Sequence, residues 1–267
     1  MHGITPAPSV RWCNHRGGTI ALLLGMALPA PLLAQASAVE RPVEREERSY
    51  HAIMWWEPLV VSAGVAATFL VDQPIHDYSQ AHKDSTKDDI AKVAGYFHEP
   101  QVTLVAAAGA LALGAVTRDM KPAQTGFQIL VSYGLASGMM IATKWVFGRS
   151  RPSDTPDDNT DFDWFHGSSE SSFPSGASAV TFSLATTVAD AVDHPAATVV
   201  LYAGATLNAW SRVYKDRHWF SDVALGAVYG VTAAKLVNGH WRIFGVRPPT
   251  VGIDAHGRML IASGFSW

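Results

Sequence analysis

Apolar residues in this chain are gathered into six stretches of helical length, most of them rich in Ala and Gly: 58–71, 102–116, 127–147, 177–192, 196–210 and 223–237. Polar segments separate them. Small residues let helix backbones approach one another closely, in water or in lipid. The pattern therefore predicts an all-α fold, a bundle of about six helices.

The pattern changes near the C-terminus. Arg247-Pro248-Pro249 interrupts any helix, because proline lacks the backbone N–H that a helix needs. Residues 251–253 and 259–261 could then pair about His256-Gly257, and we expect a short β-hairpin there. Upstream, the acidic and Ser-rich segment 153–172 has no helical period and is expected to be a loop.

The first forty residues have the features of an export signal. Arg11 and Arg16 precede an apolar run, residues 19–33, and Ala34-Gln35-Ala36 supplies the small residues that signal peptidase needs. Cleavage after Ala38 would be equally acceptable. An uncleaved membrane anchor is the alternative.

These features divide the chain into four parts. We expect a signal peptide over residues 1–36, a charged and solvated leader over 37–57, a helical domain over 58–240, and a C-terminal tail with some β structure over 241–267. Such a protein is exported, and is periplasmic or membrane-associated.

The lengths of the apolar stretches bear on whether the bundle crosses a membrane. Several are only about 14 to 16 residues long, whereas a spanning helix needs about 20. A cleaved signal would also leave the mature N-terminus outside the cytoplasm, so three crossings would place the end of the third helix inside. The sequence therefore favours a helical domain that is soluble in the periplasm or lies on a membrane surface. A six-span protein is the alternative.

Overall charge gives no general attraction for nucleic acid, because 20 basic residues stand against 23 acidic ones. Any phosphate chemistry must therefore come from a local cluster of cations.

Polar clusters lie at the ends of successive predicted helices. Lys144 and Arg151 are seven residues apart, about two turns, so they share a face for as long as the helix continues, and Pro152 discourages its continuation. Ser175 is a natural N-cap, and the free N–H groups beside Gly176 can receive an anion. Taken alone, each cluster is better explained by ordinary helix-end interactions.

The third cluster is the most specific. Ser211-Arg212 is followed by His218 and Asp222, which lie four residues apart at the start of a helix. That spacing lets the carboxylate hold one ring nitrogen while the other faces a substrate. A purely structural His–Asp hydrogen bond is the alternative.

In order and in internal spacing, the clusters resemble the signature of the type 2 phosphatidic acid phosphatase superfamily, which also includes bacterial acid phosphatases and vanadium-dependent haloperoxidases. The run HWFSDV that begins at His218, with Gly226 and Gly230 after it, fits as well, and the resemblance covers residues 58–237. It implies a phosphatase that needs no metal or other cofactor and hydrolyses phosphomonoesters or diphosphates, with lipid phosphates as an expected substrate class.

The resemblance also implies roles for individual residues. His218 would attack phosphorus to give a phosphohistidine, and Asp222 would keep its imidazole in the reactive tautomer. Fixed cations and N–H donors would stabilise the charge on the transferring phosphoryl group. The phosphate-binding residues implied by the resemblance are Lys144, Arg151, Ser175, Gly176 and Arg212.

One position departs from the family pattern. The second family motif reads Pro-Ser-Gly-His, and its histidine protonates the leaving oxygen. In this chain Ala177 follows Gly176. The histidine has therefore been either substituted or deleted. Three explanations are open. His166 in the acidic loop could supply the proton, or the substrate could carry a good leaving group such as a phosphoanhydride. The domain could instead bind phosphate groups with little turnover.

A working phosphatase is the favoured hypothesis. A catalytically impaired protein that binds phosphate or lipid phosphate is the second, and a vanadate-dependent haloperoxidase is the third.

Overall fold

The computed structural model of the protein describes residues 19–21, 50–243, 246–253 and 259–265. Short 3-10 turns at Phe69–Val71 and Tyr96–His98 connect α1 to α2 and α3 to α4. The helices of the described part are α1 Glu57–Thr68, α2 Asp72–Ala81, α3 Ser85–Gly95, α4 Pro100–Thr117, α5 Met120–Phe147, α6 Gly176–Val192, α7 Pro195–Tyr214 and α8 Phe220–Val237.

All six predicted apolar stretches are helical, so the all-α prediction is confirmed. They lie in α1 with its following turn, and in α4, α5, α6, α7 and α8. Small residues bring the backbones of α6 and α8 together, as expected. A Cβ atom at Gly226 would collide with the carbonyl oxygen of Ser175, and one at Gly230 would collide with that of Ala179. Larger residues at either glycine would therefore separate α6 from α8.

The sequence patterns missed α2 and α3. Both helices are largely polar and contain no long apolar run. Asp84 caps α3, where its Oδ1 accepts a hydrogen bond from the Lys87 N–H at 2.9 Å. Buried Ala91 and Ala94 then face α7. The two helices cover the bundle end at which α1 finishes and α4 starts.

The two ends of the bundle are chemically different. At one end, β2 (His51–Ile53), just before α1, pairs in parallel with β3 (Trp241–Ile243), just after α8. We call this the sheet end. The opposite end, where α5 and α7 finish and α6 and α8 begin, contains the polar clusters predicted from the sequence and is called the site end.

The C-terminal segment forms strands, as predicted. β4 (Val246–Ile253) pairs antiparallel with β5 (Met259–Phe265), and the register joins Val251 to Ile261 and Ile253 to Met259. The predicted turn at His256-Gly257 lies outside the described residues. The strands are longer than expected, and the register shifts between Arg247 and Thr250, where two prolines cannot donate to the ladder.

The sheet of the described part has the order β1-β5-β4-β3-β2. Its first strand, β1 (Thr19–Ala21), is the one described segment within the predicted signal peptide. The rest of residues 1–36, and the leader up to residue 49, lie outside the described residues. The division of the chain into four parts therefore stays a prediction.

Four segments of the described part are long and apolar enough to cross a membrane: Glu57–Ala81, Pro100–Thr117, Met120–Phe147 and Phe220–Val237. Several also expose large apolar side chains, among them Leu70 at 82% and Val116 at 84%. Continuous exposed apolar surface of this kind is typical of contact with lipid or with a partner. The helices thus support membrane association more strongly than the lengths of the apolar stretches indicated.

Candidate active site

His218 lies in the short connection between α7 and α8, and its side chain is 5% exposed. Its Nδ1 is 3.0 Å from the carbonyl oxygen of Ser172 and 3.5 Å from Asp222 Oδ2. Because a carbonyl oxygen can only accept, Nδ1 carries the proton and Nε2 has a free lone pair. No group within the described residues hydrogen-bonds to Nε2. The ring is thus fixed on one side and free to react on the other.

Burial lowers the pKa of His218 to about 4. The nearby Asp222 carboxylate opposes this shift, and the positive charges of Lys144 and Arg212 add to it. The imidazole is therefore neutral at physiological pH, as a nucleophile must be.

Asp222 lies in the first turn of α8 and is completely buried. Its Oδ2 accepts hydrogen bonds from the Ser172 hydroxyl and, at 2.8 Å, from the Trp219 N–H. Its backbone carbonyl accepts from the Ser175 N–H at 2.9 Å. The nearest acceptor for His218 is thus the Ser172 carbonyl, with the Asp222 carboxylate slightly farther away, an arrangement that sequence spacing did not indicate.

Arg149 was also missed by the sequence analysis, although it lies between Lys144 and Arg151. Its guanidinium is buried and bridges two carboxylates: Nη1 donates to Asp222 Oδ1 and Nη2 to Asp72 Oδ2, each at 2.7 Å. Phe69, Phe162 and Trp219 surround it. Nothing in the spacing of Asp72, at the start of α2, indicates this contact, because only the fold brings α2 to the start of α8.

The three cations predicted from the sequence meet at the site end. Lys144, in the last turn of α5, is buried and donates to the carbonyl oxygen of Ser171. Arg151 donates through Nε to the Glu170 carbonyl at 3.0 Å. Arg212, in the last turn of α7, has a buried Nε with no hydrogen-bond partner in the described part of the chain. Arg151 and Arg212 line the same cavity.

Ser175 and Gly176 occupy the predicted positions at the start of α6. The Ser175 side chain accepts from the Ser178 N–H at 3.4 Å and from the Ser178 hydroxyl at 3.2 Å. Gly176 is the first residue of the helix and lies against Met140, while Ala177 is the second and is nearly buried. The expected helix cap is therefore present at this position.

His166 points into solvent. Its side chain is 77% exposed, and its Nδ1 is 2.9 Å from the Trp164 carbonyl oxygen and 3.4 Å from Asp163 Oδ1. His98, by contrast, lies in the cavity that Arg151 and Arg212 line. Of the two histidines, His98 is the one that shares a cavity with predicted phosphate-binding residues. Among the described residues, no group of three or more His, Cys, Asp and Glu side chains could hold a metal ion.

Part of the chain resembles a known protein family. Residues 125–242 match the sequence model of the PAP2 superfamily. This part of the chain, which is less than half of its length, is similar to the PAP2 superfamily. The PAP2 segment begins in α5 and ends in β3, so it contains every site residue predicted above.

Two curated relatives match part of the chain. The chain is 34% identical to the lipid A 1-phosphatase of Porphyromonas gingivalis over 109 residues. This aligned stretch covers 40% of this chain and 21% of the relative. The chain is 28% identical to a putative undecaprenyl-diphosphatase of Escherichia coli K12 over 121 residues. This second aligned stretch covers 44% of this chain and 60% of the relative. The chain thus spans less than two thirds of the length of either relative.

A solved structure shares the fold. The chain matches a transmembrane PAP2-type phosphatidylglycerolphosphate phosphatase from Bacillus subtilis with a TM-score of 0.52 and 17% identity, over 69% of this chain and 95% of that one. The helical arrangement is therefore a PAP2 fold beyond the segment that the family model matches.

Proposed function

We propose that this protein is a phosphatase that acts on lipid phosphates through His218 as the nucleophile. The observation that carries the proposal is the state of His218: it is buried and neutral, its Nδ1 is bonded to the Ser172 carbonyl, and its Nε2 is unpartnered among the described residues. A structural histidine would normally have both ring nitrogens satisfied or solvated. A nucleophile needs one of them free.

The catalytic cycle has two steps. His218 Nε2 attacks phosphorus in line, a P–N bond forms, and the bond to the leaving oxygen breaks. Water then attacks phosphorus and releases the imidazole with inorganic phosphate. During both steps the charge on the phosphoryl oxygens is stabilised by Lys144, Arg151 and Arg212, together with N–H groups at the start of α6.

Ser172 and Asp222 stabilise the positive charge that His218 acquires as it attacks. The imidazolium in the intermediate keeps its Nδ1–H bond to the Ser172 carbonyl, and the Asp222 carboxylate lies 3.5 Å from the same nitrogen. Arg149 holds Asp222 from the other side, so the carboxylate cannot rotate away. Ser172 and Asp222 therefore position His218 and do not themselves contact the substrate.

A lipid substrate agrees with the surface of the bundle. The exposed apolar side chains of α1, α4 and α5 would face lipid tails, and exposed aromatic residues lie at both ends: Trp55 and Trp56 near the sheet end, and Trp145 at the site end. The names of the curated relatives also point to lipid-linked phosphates. We infer that the bundle spans a membrane and that the site opens at one surface.

The experiment is phosphate release by the full chain in detergent micelles, assayed with an aryl phosphate and with lipid phosphates. His218→Ala is expected to abolish release, since the nucleophile is lost, and Lys83→Ala, an exposed site-end control, is expected to leave it unchanged. No release from any phosphate ester or anhydride by the wild type would overturn the proposal.

Ala177 favours a second candidate, a protein that binds phosphate groups with little turnover. It predicts that vanadate or phosphate protects the chain from thermal unfolding while no phosphate is released. The same assays separate it from the phosphatase.

A further inference from the structure

The polar helix α2 lies against the segment that carries His218. Its first residue, Asp72, is buried and accepts hydrogen bonds from the Ser221 backbone N–H at 2.7 Å and from the Ser221 hydroxyl at 2.6 Å. One turn later, the buried His76 contacts the chain on both sides of His218. Residues four apart share a helix face, so one face of α2 is directed at the connection between α7 and α8.

His76 makes two contacts with this connection. Its Nε2 is 2.8 Å from Asp216 Oδ1, and its ring centroid is 5.2 Å from that of Trp219, with the two rings tilted by 54°. A carboxylate can only accept, so Nε2 carries a proton and donates the hydrogen bond. His76 and Trp219 are both buried. A hydrogen bond to an ionised group is stronger in such surroundings than in water.

Asp216 has a backbone conformation that needs support. Its φ is 62°, in the left-handed region that residues other than glycine rarely adopt. Its N–H donates to the Val213 carbonyl at 3.0 Å, and the Arg217 N–H donates to the Arg212 carbonyl at 3.0 Å. These bonds close a tight turn at the end of α7. Because Asp216 lies two residues before His218, a different conformation in this turn would redirect His218.

Trp219 directly follows His218 and is held at several points. Its backbone N–H donates to Asp222 Oδ2 at 2.8 Å, and its indole Nε1 donates to the Ser150 carbonyl at 3.2 Å. His76 packs against the ring of the same residue. His76 therefore supports one residue before His218 and one after it, and the second of these also holds the Asp222 carboxylate.

Resting on the proposed function, we propose that His76 is a positioning residue for the reaction: it fixes the turn at Asp216 and the ring of Trp219, so that His218 Nε2 meets phosphorus in line. A displacement of about 1 Å at a reacting atom can lower a rate about a hundredfold. The groups proposed to bind phosphate lie on other elements, at the ends of α5 and α7 and at the start of α6. Loss of His76 should therefore impair the chemical step more than substrate binding.

The first test measures kcat and KM of the full chain in detergent micelles with an aryl phosphate. His76→Ala is expected to lower kcat about 10- to 100-fold and to change KM less than about threefold. His76→Gln keeps an N–H donor near the position of Nε2 and should restore most of kcat. His82→Ala is the matched control, because it removes an exposed histidine just beyond the end of the same helix, and it should change neither value.

Asp216→Gly provides a background in which the turn does not need His76. Glycine adopts a φ of 62° without strain, so the hydrogen bond from His76 is no longer required there. In this background His76→Ala should lower kcat no more than about threefold. An equal loss in the two backgrounds would mean that His76 contributes general packing only, and would overturn the proposal.

Asp216→Ala tests the same point without changing His76. It removes the carboxylate but keeps a Cβ, so it should lower kcat as much as His76→Ala does, whereas Asp216→Gly should stay close to the wild type. This pair decides the question even if His76→Ala does not fold. Equal kcat in Asp216→Ala and Asp216→Gly would contradict the proposal.

Hydrogen exchange of residues 214–222 in the same micelles tests the position of the turn without catalysis. His76→Ala should speed exchange in this segment, His76→Gln should restore protection, and His82→Ala should not alter it. If the wild type releases no phosphate while this pattern is observed, the proposed function fails and His76 still holds the segment that carries His218. If His76→Ala leaves kcat and exchange unchanged, the positioning role is overturned and the phosphatase stands.

Discussion

Arg149 and Asp222 form an ion pair that is closed to solvent: Nη1 lies 2.7 Å from Oδ1, and both side chains are 0% exposed. The second guanidinium nitrogen bonds equally closely to Asp72 at the start of α2. The carboxylate behind His218 is therefore held by a residue of the loop after α5 and, through it, by α2. Residues distant in sequence thus determine where His218 lies.

Replacing Arg149 should destabilise the fold and remove activity together. Arg149→Leu leaves two buried carboxylates without a cation, which typically costs about 3–5 kcal/mol. Arg149→Lys keeps the charge but cannot reach both carboxylates, so we expect a smaller loss of stability with activity still strongly reduced. Thermal unfolding in detergent and phosphate release measure the two effects. Lys83→Leu is the control, and a wild-type melting temperature in Arg149→Leu would contradict the assigned role.

The pH profile should reflect the buried state of His218. Burial favours the neutral imidazole, so the folded-state pKa, about 4, lies below the ordinary value of 6.5. Activity requires the unprotonated ring. The activity should therefore persist as pH falls through 6.5 and be lost only near pH 4. The measurement is kcat/KM against pH with an aryl phosphate, whose leaving group needs no proton. An acidic limb near pH 6.5 would show that His218 is solvated.

Ala177→His should restore a proton donor at the start of α6. We expect hydrolysis of a lipid monophosphate to rise about a hundredfold, the lower range of general acid catalysis, and that of an aryl phosphate to change little. Ala177→Asn is a polar control that cannot act as an acid. Equal rates in the two variants would mean that position 177 does not face the leaving group.

Cysteine labelling should show whether the bundle spans a membrane. In a Cys13→Ser background, Ser153→Cys places a thiol at the site end and Thr117→Cys at the sheet end; both positions are exposed. A membrane-impermeant maleimide should label one of the two in intact cells or spheroplasts and both after permeabilisation. Equal labelling before permeabilisation would instead indicate a bundle that does not cross the membrane.

Much of the fold could be predicted from the sequence, because long apolar blocks allow few structures other than packed helices. Gly226 and Gly230 also have a purely local signature, namely small residues one turn apart. The helices α2 and α3 could not be found in this way. Their polar sequences form helices because Ala91, Ala94 and Asp72 find buried partners on α7 and α8, which no local pattern contains.

By itself, the sequence determined which residues are candidates for the site: the His218 and Asp222 pair, the cations Lys144, Arg151 and Arg212, and Ala177 where the family pattern has a histidine. Their order and their spacing within short segments of the chain carry that information. Tertiary structure alone decided that the Ser172 carbonyl fixes the tautomer of His218, that Arg149 holds Asp222, and that cations of α3 and the α7–α8 loop line one cavity. The physical reason is that burial and charge depend on distances between segments, which only the folded chain sets.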